Sequence, residues 1–277
     1  MWLLLSEPVI GAYPLSGLTS WYSQRVDYTA FASMKAGAVS TDIAFTTGCF
    51  VNPSLASQTL SRYFEISHSY EGAVQRTFIG FVLPPHLGTS FWVFSLSNFY
   101  ASVPVSFDRI SPYEELTFSV SYGKTGITPW ALKLNLMGLY YDGFVRGNAS
   151  LGFSLLFMPS ILPGFAGSFV IDGVGYGTTI YLRLGAGYYG FKYVMPSFEV
   201  VASTSNYPVP SVSVVLVPVQ FIKFSVSYSL DYSNLLNGFS FGVWGSSFSG
   251  GTEYRLAMAV SSVLAFPRVS LGFSLLF

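Results

Sequence analysis

The chain has 277 residues, of which 9% are charged and 18% aromatic, with 13 basic and 13 acidic side chains in balance. An ordinary soluble domain carries roughly 25% charged residues, so this inventory excludes a conventional water-exposed surface. The balanced charge also gives nucleic acid no general attraction.

Helical membrane spans fail next, because each needs about 20 consecutive apolar residues. The two long uncharged stretches, 148–171 and 202–222, are interrupted by Pro159 and Pro163 and by Pro208, Pro210 and Pro218. Proline in a lipid-embedded helix leaves backbone groups unpaired. The architecture that remains for so apolar a chain is the closed antiparallel barrel, in which neighbouring strands satisfy every backbone group. A soluble sandwich would also alternate, but its solvent face should carry Lys, Glu and Thr rather than Phe, Leu and Val.

In chain order, Met1 to Leu5 form an apolar run that Ser6, Glu7 and Pro8 end at once. A secretory leader needs about 7–15 apolar residues after a basic start, so the true leader is expected to be missing or removed. Residues 28–57 are small and alternate little, which sets an N-terminal extension over 1–58 apart from a barrel over 59–277. The single cysteine, Cys49, is expected to pack as a small apolar residue.

From residue 60 onward, cutting at Gly, Pro, Asn and Asp clusters gives strands 60–70, 74–84, 88–99, 111–124, 128–143, 145–158, 163–172, 175–189, 193–204, 209–217, 219–231, 236–247, 251–265 and 267–277. That is about fourteen, an even number, as a bacterial single-chain barrel requires. Several of these strands read apolar and polar in strict turn. Leu116, Phe118, Val120 and Tyr122 oppose Glu115, Thr117, Ser119 and Ser121, and Val269, Leu271, Phe273, Leu275 and Phe277 oppose Arg268, Ser270, Gly272 and Ser274. Alternate side chains of a strand point to opposite faces, so one face meets lipid and the other an enclosed interior. Glu65, Arg76, Glu115, Lys133, Arg183, Glu199, Lys223, Glu253 and Arg255 are the candidates to face that interior. Such groups line a pore or pair to stabilise a lumen. A long polar loop is expected over about 99–112, and Asp108-Arg109 and Glu114-Glu115, which lie near it, are expected to be solvated loop charges. The octet Ser-Leu-Gly-Phe-Ser-Leu-Leu-Phe occurs at 150–157 and again at 270–277.

Catalytic chemistry finds little support. The two histidines are His68, between Ser67 and Ser69, and His86, after Pro84-Pro85 in an expected turn. Adjacent strand residues face opposite ways, so neither serine meets His68 on one side. No metal-binding H-E-x-x-H, phosphate-binding P-loop or nucleophile elbow occurs. The expectation is a non-enzyme with no cofactor and no metal.

The spacing of Ser270, Gly272, Leu275 and the final Phe277 resembles the C-terminal insertion signal that the barrel-assembly machinery of bacteria pairs with as an edge strand. Upstream, Asn52-Pro53-Ser54-Leu55-Ala56 and Ser33-Met34-Lys35-Ala36-Gly37-Ala38 resemble the hatch elements Asn-Pro-Ala-Gly-Leu-Ala and Met-Gly-Gly-Ala of the long-chain fatty-acid transporter (FadL) superfamily and its PorV/PorQ relatives. Lys35 and Ser54 depart from the family pattern. The resemblance implies a fourteen-stranded barrel with an inner N-terminal hatch carrying Asn52 and Pro53, located in the outer membrane of a diderm bacterium. The functions that follow are a channel for small hydrophobic solutes, a PorV-like subunit of a larger outer-membrane secretion or surface assembly, or a structural barrel with a closed lumen. The expected partners are the lipid bilayer and, during insertion, the barrel-assembly machinery.

Overall fold

The computed structural model describes residues 30, 38–41, 46–71, 74–86, 89–106, 109–176, 178–204, 208–230, 238–263 and 266–277. Fourteen antiparallel strands close on themselves: β1 Tyr63–Glu71, β2 Val74–His86, β3 Ser90–Ser106, β4 Arg109–Lys124, β5 Trp130–Tyr141, β6 Phe144–Phe157, β7 Phe165–Val174, β8 Tyr181–Tyr188, β9 Val194–Ser203, β10 Val209–Val219, β11 Ile222–Ser229, β12 Gly238–Ser249, β13 Thr252–Val263 and β14 Phe266–Leu276. Each strand pairs with its neighbours in sequence, and β1 pairs with β14 from Tyr63↔Leu276 to Tyr70↔Val269. Arg62 and Phe277 exchange both backbone hydrogen bonds at 3.0 Å and so complete the seam. We call the end that holds this seam the base and the opposite end the crown. Among the described residues no helix is long and apolar enough to cross a membrane.

The period-two pattern sets the two faces. On β14, Arg268, Ser270, Gly272 and Ser274 are buried while Val269, Leu271 and Phe277 are exposed. The same division runs round the wall, with Leu132, Leu134 and Leu136 outside opposite Ala131, Asn135 and Met137 inside. A continuous outer surface of exposed Leu, Phe and Val is the surface of a transmembrane barrel, since water would leave that apolar area uncovered. An arginine in place of Leu271 is therefore expected to destabilise the barrel by about 2–4 kcal/mol. Serine at the same site should cost less. Denaturant refolding into phospholipid vesicles measures both.

Tight connections follow from turn chemistry. Tyr141↔Phe144 closes over Asp142-Gly143 with φ of 47° and 83°, the left-handed pair that a two-residue hairpin needs.

Two sequence expectations are corrected. The loop placed at 99–112 is strand: β3 and β4 continue pairing out to Ser106↔Arg109. β2 leaves β3 at Ala101 and β5 leaves β4 at Tyr113, so the outermost part is a two-stranded ribbon rising above the crown. Among the described residues each of its strands has an outer edge without a partner strand, and there Pro104 and Pro112, which donate no hydrogen bond, are tolerated. His86, expected in a turn, ends β2 and pairs with Ser90.

Candidate functional site

The candidate site is the barrel interior and the part of the N-terminal segment seated in it. Two short 3-10 helices, Thr46–Phe50 and Pro53–Gln58, lie within the base. Asn52 caps the second: its side-chain oxygen accepts the Ser54 backbone N–H at 3.2 Å. Its amide donates to the Ser40 carbonyl at 2.6 Å and so ties residues 38–41 to the helical part. Cys49, Phe50, Leu55 and Ala56 pack into one apolar cluster with Tyr63, Phe78, Val82, Phe91, Ala131 and Leu156 of the wall. The Phe50 ring stands edge-on to Phe78 at 4.8 Å between centroids.

Wall glycines shape this seat. A Cβ at Gly80 would collide with the Phe50 ring, and one at Gly185 would collide with Ser40 Oγ and Ser168 Oγ. Gly187 leaves room in the same way for Thr41 and Tyr189. Ala166↔Gly187 and Ser168↔Gly185 are paired positions of β7 and β8, so a lane of minimal side chains receives residues 40 and 41.

Buried carboxylates hold the segment. The Ser40 backbone N–H donates to Glu199 Oε2 at 2.8 Å, while Arg183 Nη1 donates to Glu199 Oε1 at 3.0 Å. At the opposite wall, Thr47 Oγ1 and the Tyr63 hydroxyl each donate to Glu65 Oε2 at 2.7 Å, and Ser67 Oγ donates to Oε1 at 2.9 Å. The Ser54 N–H also donates to Ser154 Oγ at 3.2 Å. Each of these partners lies on the buried face of its strand. A hydrogen bond to an ionised group in such surroundings is among the stronger ones, about 1.5–3 kcal/mol.

The remaining candidate charges lie on the same face but do not converge on one centre. Arg255 makes two contacts of 2.8 Å to Glu253 and stacks over Trp244 at 5.1 Å, with Lys223 over the same ring at 4.1 Å. Glu115 is fully buried and accepts from the Tyr113 hydroxyl. Glu114 instead faces outward, where Asn98 donates to it at 2.6 Å. Neither glutamate is the solvated loop charge expected of it, because both belong to β4.

Two charged residues of the interior, Glu71 and Asp172, were absent from the sequence reading. Glu71 takes Arg76 at 2.9 Å and Arg268 at 3.1 Å, and Arg76 lies 5.4 Å from the centroid of Phe99. Asp172 takes Lys133 at 2.7 Å and Asn135 at 2.8 Å. Asp172 keeps the inward parity of Ala166, Ser168 and Val170 on β7, and at the bulge that follows, Gly173, with φ of 80°, donates its backbone N–H to the carboxylate at 2.8 Å. Parity with Glu65 could have identified Glu71, and Arg268 lies on the polar face where its alternation with Val269 put it. Parity with Ser168 and Val170 could have identified Asp172.

His68 lies exposed on the outer face, with Nδ1 3.0 Å from Thr77 Oγ1, while Ser67 and Ser69 are buried inside. The described residues hold no cluster of metal-binding side chains. Ser270, Gly272, Leu275 and Phe277 all lie along the closing seam. Of the stretch 33–38 compared with a hatch element, only Ala38 is among the described residues; its carbonyl accepts from Ser197 Oγ at 3.3 Å. Met1 to Pro8 are also outside them.

No known family profile and no curated protein matches the sequence. Solved structures do match its fold. The Ralstonia pickettii toluene transporter TbuX aligns over 90% of this chain and 97% of its own, with a TM-score of 0.65 at 8% identity. A Pseudomonas aeruginosa FadL homologue aligns over the same shares at 0.63 and 8% identity. The Pseudomonas putida toluene transporter TodX does so at 0.57 and 10% identity. At such identities the likeness is one of fold: this chain has the barrel architecture of those channels.

Proposed function

We propose that this chain is a channel in the outer membrane of a diderm bacterium for small hydrophobic solutes, with the N-terminal segment as a plug that must shift before solute passes. The observation that carries this reading is how the segment is held. Its described residues are joined to the wall through Glu65, Glu199 and Ser154 and through apolar packing, while every strand keeps its neighbours. Further ties run to Ser67, Ser168 and Ser197, and none of these contacts is a bond between strands, so the plug can leave its seat without breaking the barrel. Fourteen strands enclose more space than wall side chains alone can fill, so a displaced plug leaves a passage.

Affinity in such a passage comes from removing apolar solute surface from water, and no bond is made or broken. The cluster of Phe50, Phe78, Phe91 and Tyr63 supplies an apolar surface at the base. TbuX and TodX are described as toluene transporters, which makes toluene the first probe.

Reconstitution into vesicles with a lipopolysaccharide outer leaflet, which slows unassisted entry, tests the proposal. Protein-containing vesicles should take up labelled toluene faster than empty ones. Equal rates would count against a channel and favour a closed structural barrel. The C-terminal strand is proposed to be the part read by the barrel-assembly machinery: Phe277→Ala should lower the fraction inserted in cells, with unaided refolding in detergent changed less.

A further inference from the structure

The two ends of the barrel differ in a way that the channel reading does not use. The six connections at the base, 87–89, 125–129, 158–164, 189–193, 220–221 and 250–251, contain no Asp or Glu. At the crown, by contrast, the connection between β5 and β6 carries Asp142. The base is also tipped with apolar side chains. Leu60 and Ile127 are 97% exposed and Ile161 is 89% exposed, with Phe191 and Phe221 more than half exposed. The exposed charged side chains of its lead-in and strand ends, Arg62, Lys124 and Lys192, are all cationic.

A water-bathed rim would leave these apolar tips unshielded. Strand length supplies the second argument. β8 and β11 have eight residues each. Eight residues rise about 27 Å along a strand and, at a tilt of about 40°, cross only about 20 Å. The apolar band of such barrels is about 25 Å tall. Residues beyond the strand ends must complete the band, and at the base the next large exposed ones are Phe191, past the inward-packed Tyr189, after β8 and Phe221 before β11. Phe191 packs against Tyr188 with ring centroids 4.7 Å apart and so continues the outer surface downward. Lysine and arginine beside such residues extend their charge to the phosphate level.

We infer that the base rim does not project into water but sits in the headgroup–acyl boundary of a phospholipid leaflet, with Ile127, Ile161, Phe191 and Phe221 as its immersed tips. The occupant of this surface is phospholipid: the tips are continuous with the lipid-facing wall, and the accompanying exposed side-chain charge suits a phosphate. The inference rests on the reading that the barrel spans a membrane.

Depth-dependent quenching tests it. In a Cys49→Ala background, Ile127→Cys and Ile161→Cys would be labelled singly with a small fluorophore and reconstituted into phosphatidylethanolamine–phosphatidylglycerol vesicles. Tyr176→Cys at the crown, 92% exposed, serves as the aqueous control, and Leu271→Cys on the outer wall as the membrane control. The rim labels should lose most of their fluorescence to phospholipid carrying a nitroxide near the headgroup and little to aqueous iodide. Strong iodide quenching without lipid quenching would overturn the inference. Shielding from both quenchers would also overturn it, because a second copy or another protein would then cover the rim. Absence of lipid quenching at Leu271→Cys would instead defeat the membrane reading beneath it.

Discussion

Replacing Glu199 with alanine is expected to unseat the N-terminal segment and raise single-channel conductance in planar bilayers, while the barrel still forms. Glu199 is 1% exposed and serves two partners at once, the Ser40 N–H and Arg183. Its removal takes from the buried Ser40 N–H its acceptor and from the half-buried Arg183 guanidinium the carboxylate it bonds. Breaking a buried ion pair on one side costs about 3–5 kcal/mol, more than the 0.5–1.5 kcal/mol of a typical hydrogen bond. The interior can recover most of that by letting water in, which requires residues 38–41 to move. Glu253→Ala is the control, because Glu253 pairs with Arg255 of its own strand rather than with the described part of the N-terminal segment. It should lower thermal stability without comparable opening. Equal conductance changes in the two variants would show that charge alone, rather than the seat, is responsible.

Gly80→Leu should expose Cys49 to maleimide. Cys49 is 1% exposed and is the one cysteine of the chain, so labelling reports on the helical part of the plug without any added probe. A side chain at position 80 enters the space of the Phe50 ring, which is confined by Tyr63 and Phe78. Overpacking of a filled core typically costs about 1–3 kcal/mol. Here the strands are fixed by pairing on both sides, so the 3-10 helix is the part free to yield. Labelling should rise from nearly nothing toward completion, with the heat-modifiable band of the folded barrel retained. Phe50→Ala in the same background should restore protection, because it removes the collision while leaving Leu55 and Ala56 packed. Unchanged protection in Gly80→Leu would mean that Phe50 does not fill this position in the membrane.

Much of the wall was legible in the sequence because its physical cause is local. Where one face meets lipid and the other an interior, each residue declares its side, as at Leu271 against Ser270 or Leu134 against Asn135. The charges Arg183 and Glu199 could be placed by parity alone. Their pairing could not, because it depends on the register between β8 and β9. The same limit hid the lane at Gly185 and Gly187, whose meaning appears only when Ser40 and Thr41 are brought against it from a distant part of the chain. Asp172 was missed although it shares the parity of Ser168 and Val170, because an aspartate followed by glycine at the end of a strand reads as the start of a turn. The ribbon at 99–112 was misread because prolines and polar residues signal a loop in a strand with two neighbours, but not in one whose outer edge has none. Asn52 was singled out by its neighbour Pro53, and its tie to the Ser40 carbonyl belongs to the folded state.

The central claim is that the N-terminal segment lies inside a closed barrel, and a disulfide across that boundary tests it most directly. Ser54→Cys and Ser154→Cys, in a Cys49→Ala chain, place thiols where a plug backbone N–H now meets a wall hydroxyl at 3.2 Å. The account predicts that mild oxidation of the folded protein in membranes links the two residues in nearly every molecule and lowers toluene uptake, with reduction restoring it. Two thiols that stay separate and react freely with maleimide in the folded barrel would contradict it.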